Sequence, residues 1–243
     1  MNNCIFESNK LNSPYTMKKI ITSILLVLTI ALSAQQMTTL SYDGSRLLNH
    51  TFYQNGDSSS KGISYDDIQG NPYYDKVFSP AKFYIADRAE TAVARYNMYF
   101  DEVEFKKDEE TYSLVPDSPF TRIEFTRTKE VLVKLDTDDD LKGYFFELIN
   151  GKNALYKKVK SQFKNAVAAK NSYEIDRPAS FNTLDPVYYI KTESGYIKKP
   201  KKIKEIADAF PAKKEEIEKF AKSNNIKINK EEDLIKLVKF LNQ

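Results

Sequence analysis

The sequence has 243 residues, with 37 Lys and Arg against 34 Asp and Glu, a mean hydropathy of −0.54 and 41% hydrophobic residues. These values are typical of one good-sized folded domain and exclude an intrinsically disordered chain and a multi-span membrane protein. One His excludes a metal site built from several His, and one Cys excludes an intramolecular disulfide. The seven Gly form neither a G-x-G-x-x-G motif nor a phosphate-binding loop, so no cofactor is expected.

The clearest targeting signal lies near the start of the sequence. Two lysines precede an apolar run over residues 20–32, and the small residues Ser33 and Ala34 follow it. This order predicts a secretory signal peptide over residues 17–34. Because the apolar run is shorter than the ~20 residues that cross a bilayer, no transmembrane span is expected after processing. Cleavage is predicted after Ala34, with the Ser33–Ala34 bond as the alternative.

Residues 1–16 do not fit this signal, because Met17-Lys18-Lys19 is already a complete basic region. We interpret this N-terminal extension as an upstream start codon chosen in error; a long leader is the alternative. In both cases Cys4 is removed with the leader, so the exported chain 35–243 is predicted to be disulfide-free. The leader carries three Lys and one Glu, so its loss lowers the formal net charge from +3 to +1.

The remaining chain changes character near residue 198. Residues 35–197 carry a net charge of −4 and residues 198–243 carry +5. We predict an antiparallel β domain over 35–197 and a C-terminal helical cap over 198–243. The predicted fold class is α+β: an antiparallel, twisted or barrel-like β-sheet, followed by two or three helices packed on it.

Alternation of apolar and polar residues predicts the strands of the β domain. Hairpins are predicted at Asp101–Val115, Tyr144–Lys158 and Val187–Ile197, and further strands at Arg122–Phe125 and Val131–Leu135. Between the strands of the second hairpin, Asn150-Gly151 predicts a two-residue type I′ turn. The four-residue spacing of Val159, Phe163 and Val167 fits a short helix as well as a strand.

Helical periodicity replaces this alternation after residue 198. Three apolar stripes predict three helices, one with Ile203, Ile206, Ala207 and Phe210, one with Ile217, Phe220 and Ala221, and one with Leu234, Leu237, Val238 and Leu241. Pro211 suits the first turn of the second helix, and Asn224-Asn225 is predicted to end it. Because each helix is apolar on one side only, the helices must pack on each other or on the sheet.

The segment Arg95–Phe105 reads RYNMYFDEVEF. It resembles Y-N-x-Y-x-D-E-x-E-F, a recurring segment of uncharacterised secreted proteins of the Bacteroidetes. The second hairpin, the Tyr188–Lys191 segment and the helices that follow Phe210 are similar to the same family. The resemblance implies a location in the cell envelope, periplasmic or extracellular, and it brings no activity with it.

Asp136, Asp138 and Asp140 are the best candidates for metal ligands. Together with Glu147 they occupy positions 1, 3, 5 and 12 of an EF-hand loop. Position 6 is Leu141, where that loop requires Gly, and the flanking segments predict strands rather than helices. We therefore expect an acidic, solvated hairpin tip and no metal, with a weak surface contact to Ca²⁺ as the alternative.

His50 is the only residue that could act as an imidazole base. No nucleophile motif accompanies it, and the sequence singles out no pair of carboxylates. The predicted function is therefore a non-catalytic binding or structural role with a protein or small-molecule partner in the cell envelope. The alternative is an envelope hydrolase that uses carboxylates or His50. A nucleic-acid partner is not expected for an exported chain of net charge +1.

Two further features have two interpretations each. The conspicuous tyrosines could form a binding surface or pack within the sheet; they are Tyr73, Tyr74, Tyr96, Tyr99, Tyr144, Tyr188 and Tyr189. The run Lys198–Lys202 could contact an anionic lipid, although the acidic residues that follow it favour a solvated linker.

Export predicts a specific N-terminus. Mass spectrometry of the protein isolated from its native cells should find a chain that begins at Gln35, because signal peptidase cleaves after the small residue Ala34. A chain that begins at Ala34 would indicate the alternative bond. An N-terminal peptide that still contains Cys4 would refute both cleavage and the interpretation of residues 1–16.

Overall fold

The structure, a computed structural model, describes residues 45–47, 51–52, 63–64, 68–114 and 118–243. The predicted signal peptide and His50 lie outside the described residues. Antiparallel strands make up most of the chain between residues 79 and 198. The strands are β1 (Ser45–Leu47), β2 (Thr51–Phe52), β3 (Ile63–Ser64), β4 (Ser79–Ile85), β5 (Arg88–Asn97), β6 (Glu102–Lys107), β7 (Glu110–Leu114), β8 (Arg122–Phe125), β9 (Val131–Leu135), β10 (Gly143–Ile149), β11 (Ala154–Lys158), β12 (Ser161–Lys164), β13 (Ser180–Thr183), β14 (Val187–Thr192) and β15 (Gly195–Lys198).

Eleven of these strands form one antiparallel sheet in the order β1-β7-β6-β5-β4-β8-β9-β10-β11-β14-β15. The predicted fold class is confirmed, because this large antiparallel sheet precedes the helices. The sheet is twisted rather than closed into a barrel, since β1 and β15 lie at opposite edges of the described strand order.

The half of the sheet that contains β4 to β10 curls around its own aromatic core. Three strands separate β5 from β10, yet the Tyr96 ring of β5 lies 6.3 Å from the Tyr144 ring and 5.8 Å from the Phe146 ring of β10. The buried core inside the curl includes Phe83, Tyr96, Val103, Phe105, Phe120, Ile123, Leu132, Tyr144 and Phe146. Each large side chain buried there contributes roughly 1.5–3 kcal/mol before entropy is subtracted.

The helices are α1 (Ile203–Asp208), α2 (Lys214–Ser223), which the 3₁₀ turn Pro211–Lys213 precedes, and α3 (Glu231–Leu241). As predicted, α2 ends at the asparagine pair. Asn225 adopts a positive φ of 50°, and the N–H of Ile226 donates to the carbonyl of Ala221 at 2.9 Å, as in a Schellman motif. No helix in the described part of the chain is long and apolar enough to cross a membrane.

The helices cover the rest of the face that the curled half buries. Leu155 of β11 and Ile190 of β14 are fully buried against residues of all three helices, namely Ile206, Ala207, Ile217, Ala221, Leu234, Leu237, Val238 and Leu241. Leu148 of β10 packs against both this core and the aromatic one. The predicted packing of the helices on the sheet is confirmed, and the described residues form one compact unit.

The opposite face of β9, β10, β11 and β14 carries a smaller apolar cluster. Val133, Phe145, Tyr156 and Tyr189 are buried there, together with Leu141 from the loop between β9 and β10. Because Leu141 is buried among strand residues, this loop folds back over the sheet instead of extending away from it.

The three predicted hairpins are present as β6–β7, β10–β11 and β14–β15. The turn of the second hairpin differs from the prediction, because four residues separate β10 from β11 and Asn150 does not have the positive φ of a type I′ turn. Asn153 in this turn exchanges two hydrogen bonds with Asn242, of 2.8 and 2.9 Å. This contact to the end of α3 accounts for the wider turn.

The segment from Val159 to Val167 contains a short strand rather than a helix. Its residues 161–164 are β12, which pairs with β13 so that Phe163 lies opposite Phe181, with their ring centroids 5.3 Å apart. The four-residue spacing of apolar side chains therefore reflects a two-stranded sheet outside the main one.

Leu237 provides a test of the helical cap. It is fully buried between α3 and the sheet, so Leu237→Ala should lower the free energy of unfolding by about 2–5 kcal/mol, as large-to-small core substitutions do. Lys239→Ala, at an exposed position of the same helix, should change it by less than about 0.5 kcal/mol. Chemical denaturation measures both values, and equal stability of the two variants would show that α3 is not part of the core.

Candidate functional site

The loop between β9 and β10 carries the residues predicted from the sequence as metal ligands. Asp136, Asp138 and Asp140 are all exposed. Glu147 instead pairs with Arg122 at 2.8 Å. The described residues contain no group of three or more His, Cys, Asp or Glu that could hold a metal ion. The structure therefore does not bring the four EF-hand positions together.

Asp139, in the same loop, is held against the sheet. Its carboxylate accepts hydrogen bonds from the hydroxyls of Tyr189 at 2.5 Å and Thr137 at 2.7 Å, and from the N–H of Leu141 at 3.0 Å. The ammonium of Lys198 lies 3.9 Å from the same carboxylate and donates to the carbonyl of Thr137. The expectation of a solvated tip is therefore wrong at Asp139, because the buried Tyr189 ring brings its hydroxyl to this loop and needs an acceptor there.

These contacts change the acidity of Asp139. Desolvation alone would raise its pKa, but the hydrogen bonds from Tyr189, Thr137 and Leu141 and the charge of Lys198 together lower the pKa of Asp139 to about 2. In return, burial and the bond to Asp139 raise the pKa of Tyr189. Asp139 therefore ties the loop to the sheet as an anion at neutral pH.

A cavity of about 590 Å³ opens at one end of the curled sheet. It lies where β6 begins, β9 ends and β10 begins, so the curl places residues far apart in sequence around one space. Its lining combines apolar side chains with groups of both charges: Phe100, Asp101, Glu102, Leu114, Thr121, Lys134, Leu135, Asp136, Lys142, Gly143 and Tyr144. Concave sites of this mixed character are the usual ligand-binding sites of proteins.

Asp101, which lines this cavity, forms a buried ion pair with Lys158. Lys158 of β11 is 2% exposed, and its ammonium donates to the Asp101 carboxylate at 2.7 Å and to the Tyr144 carbonyl at 2.8 Å. The hydroxyl of Tyr96 donates to the other carboxylate oxygen of Asp101 at 2.5 Å. Because its oxygens are taken by these donors, Asp101 acts as the structural partner of Lys158.

Local backbone geometry makes this contact possible. Asp101 lies in the turn between β5 and β6 with a positive φ of 58°, which directs its carboxylate toward the start of β10. Gly143 at that point has a φ of 128°, and a Cβ there would collide with the Asp101 carboxylate. Only glycine therefore fits at position 143 while the ion pair is in place.

The burial of this group of residues shifts their protonation. Desolvation lowers the pKa of Lys158, and the opposing attraction of Asp101 does not fully compensate. Burial, and then the neighbouring Asp101, raise the pKa of Tyr96 well above its ordinary value. The phenol of Tyr96 therefore remains protonated and donates its hydrogen to Asp101 at any physiological pH.

Tyr144 contributes a polar group that the protein does not satisfy. Its side chain is 5% exposed, and its hydroxyl has no hydrogen-bond partner among the described residues. Burial, and then the carboxylates of Asp101 and Glu102, raise the pKa of this phenol. Tyr144 lines the cavity together with both carboxylates, and its phenol stays protonated as a hydrogen-bond donor. A buried polar group without a partner is uncommon and costs about 1–3 kcal/mol.

A second cavity, of about 870 Å³, lies beside the linker between β15 and α1. Lys199, Lys201 and Lys202 line it together with apolar residues such as Val187 and Ile203. The run 198–202 is only partly a solvated linker, because Lys198 binds the loop between β9 and β10 and Lys199 lies 3.7 Å from Asp140. The described residues bring no unsatisfied buried group to this cavity.

Most of the conspicuous tyrosines pack within the sheet and do not form a binding surface. Tyr73, Tyr96, Tyr144 and Tyr189 are at most 5% exposed and pack within the protein, whereas Tyr74 is 38% exposed. They do not form a continuous aromatic surface. Sheet packing therefore explains most of them. Tyr144 differs because its buried hydroxyl has no hydrogen-bond partner among the described residues.

No protein-family model, curated protein or solved structure matches this chain. The site must therefore be judged on its own geometry. Sequence reasoning did not identify Asp101, Lys158 or Tyr144 as members of one site. The sequence gives no signal for them, because β11 ends in two lysines, Lys157 and Lys158, of which only the second is fully buried.

Asp139 generates a prediction about pH. A depressed carboxyl pKa stabilises the fold above the unfolded-state value of about 3.9, and this stabilisation is lost as the pH falls toward 2. At pH 6, Asp139→Asn should lower the free energy of unfolding by about 1–2 kcal/mol. The difference from the parent protein should shrink steadily between pH 4 and pH 2 in urea denaturation.

Asp140 is the matched control in the same loop. Its side chain is 81% exposed, and its one ion pair among the described residues is with Lys199 at 3.7 Å. Asp140→Asn should therefore lower the free energy of unfolding by less than about 0.5 kcal/mol, both at pH 6 and between pH 4 and pH 2. If the two variants showed the same stability profile, Asp139 would not be the residue that ties the loop to the sheet.

Proposed function

We propose that this chain is an exported cell-envelope protein that binds a small-molecule partner without transforming it, and that the cavity at the end of the curled sheet is its ligand site. The unsatisfied Tyr144 hydroxyl beside that cavity is the observation on which the proposal rests. A buried donor without a partner costs free energy, and an acceptor oxygen of a ligand in the cavity would remove that cost.

The location of the cavity supports the same proposal. The open end of a curled antiparallel sheet is a frequent place for ligand binding, because rigid strands surround a space that the turns leave accessible. Here the ion pair with Lys158 and the close approach of Gly143 to the carboxylate fix the position of Asp101 in the lining. A preorganised wall lowers the entropy cost of binding.

Binding is favoured over the alternative of hydrolysis by the condition of the carboxylates. Asp101 is paired with Lys158, and Glu102 accepts a hydrogen bond from Ser113 at 2.7 Å. Asp136 is exposed and accepts the N–H of Asp138 at 3.3 Å. A glycoside hydrolase needs two carboxyl groups free to act on the substrate, one of them as an acid.

Export to the periplasm or the cell exterior is part of the same proposal. It is supported by the basic, apolar and small-residue pattern of residues 17–34. The resemblance to secreted proteins of the Bacteroidetes points the same way. The near-neutral charge of the chain after residue 34 gives no reason to expect nucleic acid as the partner.

A fragment screen with a blocking variant tests the ligand site. Binding of small polar fragments to the purified, ¹⁵N-labelled chain should shift the amide resonances of Asp101, Leu135 and Gly143 together. Thr121→Trp should weaken these hits at least tenfold, because an indole at the rim occupies the cavity that Thr121 lines. Thr183→Trp, at an exposed position of β13, should leave them unchanged. Hits that cluster elsewhere, or that persist in Thr121→Trp, would refute this site.

A further inference from the structure

The carboxylates that line the cavity already accept hydrogen bonds from the protein, whereas several hydrogen-bond donors there have no partner in the part of the chain that the structure describes. Asp101 already accepts from Lys158, and Glu102 accepts from Ser113. Asp136 accepts from a backbone N–H of its own loop. A ligand that offers only donors would therefore have to displace existing bonds.

The donors show the opposite pattern. The hydroxyl of Tyr144 has no partner among the described residues. Two lysines line the same cavity, Lys134 and Lys142, and neither forms an ion pair with a residue that the structure describes. The cavity therefore offers three donors whose natural complement is a group with several acceptor oxygens.

Strand register places two of these donors side by side. Lys134 of β9 and Tyr144 of β10 are direct partners in the antiparallel ladder. Directly opposed residues project from the same face of a sheet with Cβ atoms about 4.5–5.5 Å apart. The ammonium and the phenol can therefore bind two oxygens of one anionic group.

The charges around the cavity permit an anion to enter. Lys158 offsets the charge of Asp101, which it contacts at 2.7 Å. The two unpaired lysines balance the remaining carboxylates of Glu102 and Asp136. An incoming anion thus meets no excess of negative charge, while the donors it contacts are positively charged or neutral.

The apolar part of the lining indicates what accompanies the anionic group. Phe100 and Leu114 both line the cavity, and Phe100 is 49% exposed. Apolar side chains beside charged groups suit a ligand that combines an apolar portion with a charged end.

We infer that the cavity binds a small organic anion, with a carboxylate or phosphate held by Lys134 and Tyr144 and an apolar portion against Phe100 and Leu114. This inference rests on the proposed ligand-binding function of the same cavity. It adds the chemical class of the ligand and the two residues that recognise its charge.

Four probes that share a phenyl ring test this inference. Phenylacetate, phenylphosphate, benzyl alcohol and benzylamine are titrated separately into the ¹⁵N-labelled chain at low ionic strength. The two anions should shift the amides of Leu135, Gly143 and Tyr144 and bind at least tenfold more tightly than benzyl alcohol, because charge-assisted hydrogen bonds are worth about that ratio or more. The tighter of the two anions identifies carboxylate or phosphate as the preferred group, and equal affinities support the oxygen chemistry that they share.

Two conservative variants locate the recognition. Lys134→Met keeps the length of the side chain and removes its charge, so it should weaken both anions roughly tenfold. Tyr144→Phe removes only the unpartnered hydroxyl; it should weaken them several-fold while leaving the melting temperature unchanged or higher. Lys152→Met is the control, since Lys152 lies at the other end of β10 and pairs only with the exposed Glu193. It should leave all affinities as they are.

The possible failures are distinguishable. If benzylamine or benzyl alcohol binds at the same amides as tightly as the anions do, or if Lys134→Met keeps full affinity for the anions, the inference of an anion is overturned and the binding site remains. If none of the four probes shifts these amides and the fragment screen also finds no hits there, the proposed function itself is overturned.

Discussion

The burial of one ammonium group is the constraint on which the arrangement of the sheet depends. Lys158 is almost fully removed from solvent, and an isolated charge in such a place would cost several kcal/mol. A carboxylate must therefore come to it, and the one that does, Asp101, lies 57 residues away in a turn on the far side of the curl. Only a sheet that curls tightly enough to bring β5 beside β10 can make this contact. The cavity, the need for glycine at position 143 and the inward position of Tyr144 follow from the same curling of the sheet.

One face of the sheet serves two cores. Strands β4 to β10 enclose the aromatic core by curling, and β11 and β14 bury their residues under the helices instead, with Leu148 in contact with both cores. On the other face, the loop held by Asp139 covers Phe145 and Tyr189. Charged residues thus fix the two places where segments distant in sequence meet, and apolar residues fill the layers between them. This division is physically reasonable, because apolar contact stabilises without direction whereas hydrogen-bonded charges specify one geometry.

Much of the fold could be predicted from local patterns, and little of the site could. Alternation at Arg122–Phe125 and the helical stripe of Leu234, Leu237 and Leu241 report local geometry, so their strands and helix were predictable. The Asn150-Gly151 turn was predicted too narrowly because Asn242, some 90 residues later, holds its neighbour Asn153. Lys158 and Asp101 resemble ordinary surface charges in the sequence, since nothing local indicates that tertiary contacts will bury them together. In the acidic loop, the EF-hand spacing selected three aspartates that are exposed in the structure. The residue that contacts the sheet is Asp139, and only the position of the Tyr189 hydroxyl determines this.

The contact between α3 and the turn after β10 has a consequence for the order of folding. A chain is made from its N-terminus, so the strands are complete well before residues 231–242 exist, and the face that carries Leu155 and Ile190 has no cover during that interval. Strand pairing over long sequence separations is slow, and uncovered apolar faces associate with other chains. The native state can therefore form only once α3 has been synthesised and has left the ribosome. Until then the chain is only partly folded, and its uncovered apolar face is open to chaperones and to other chains.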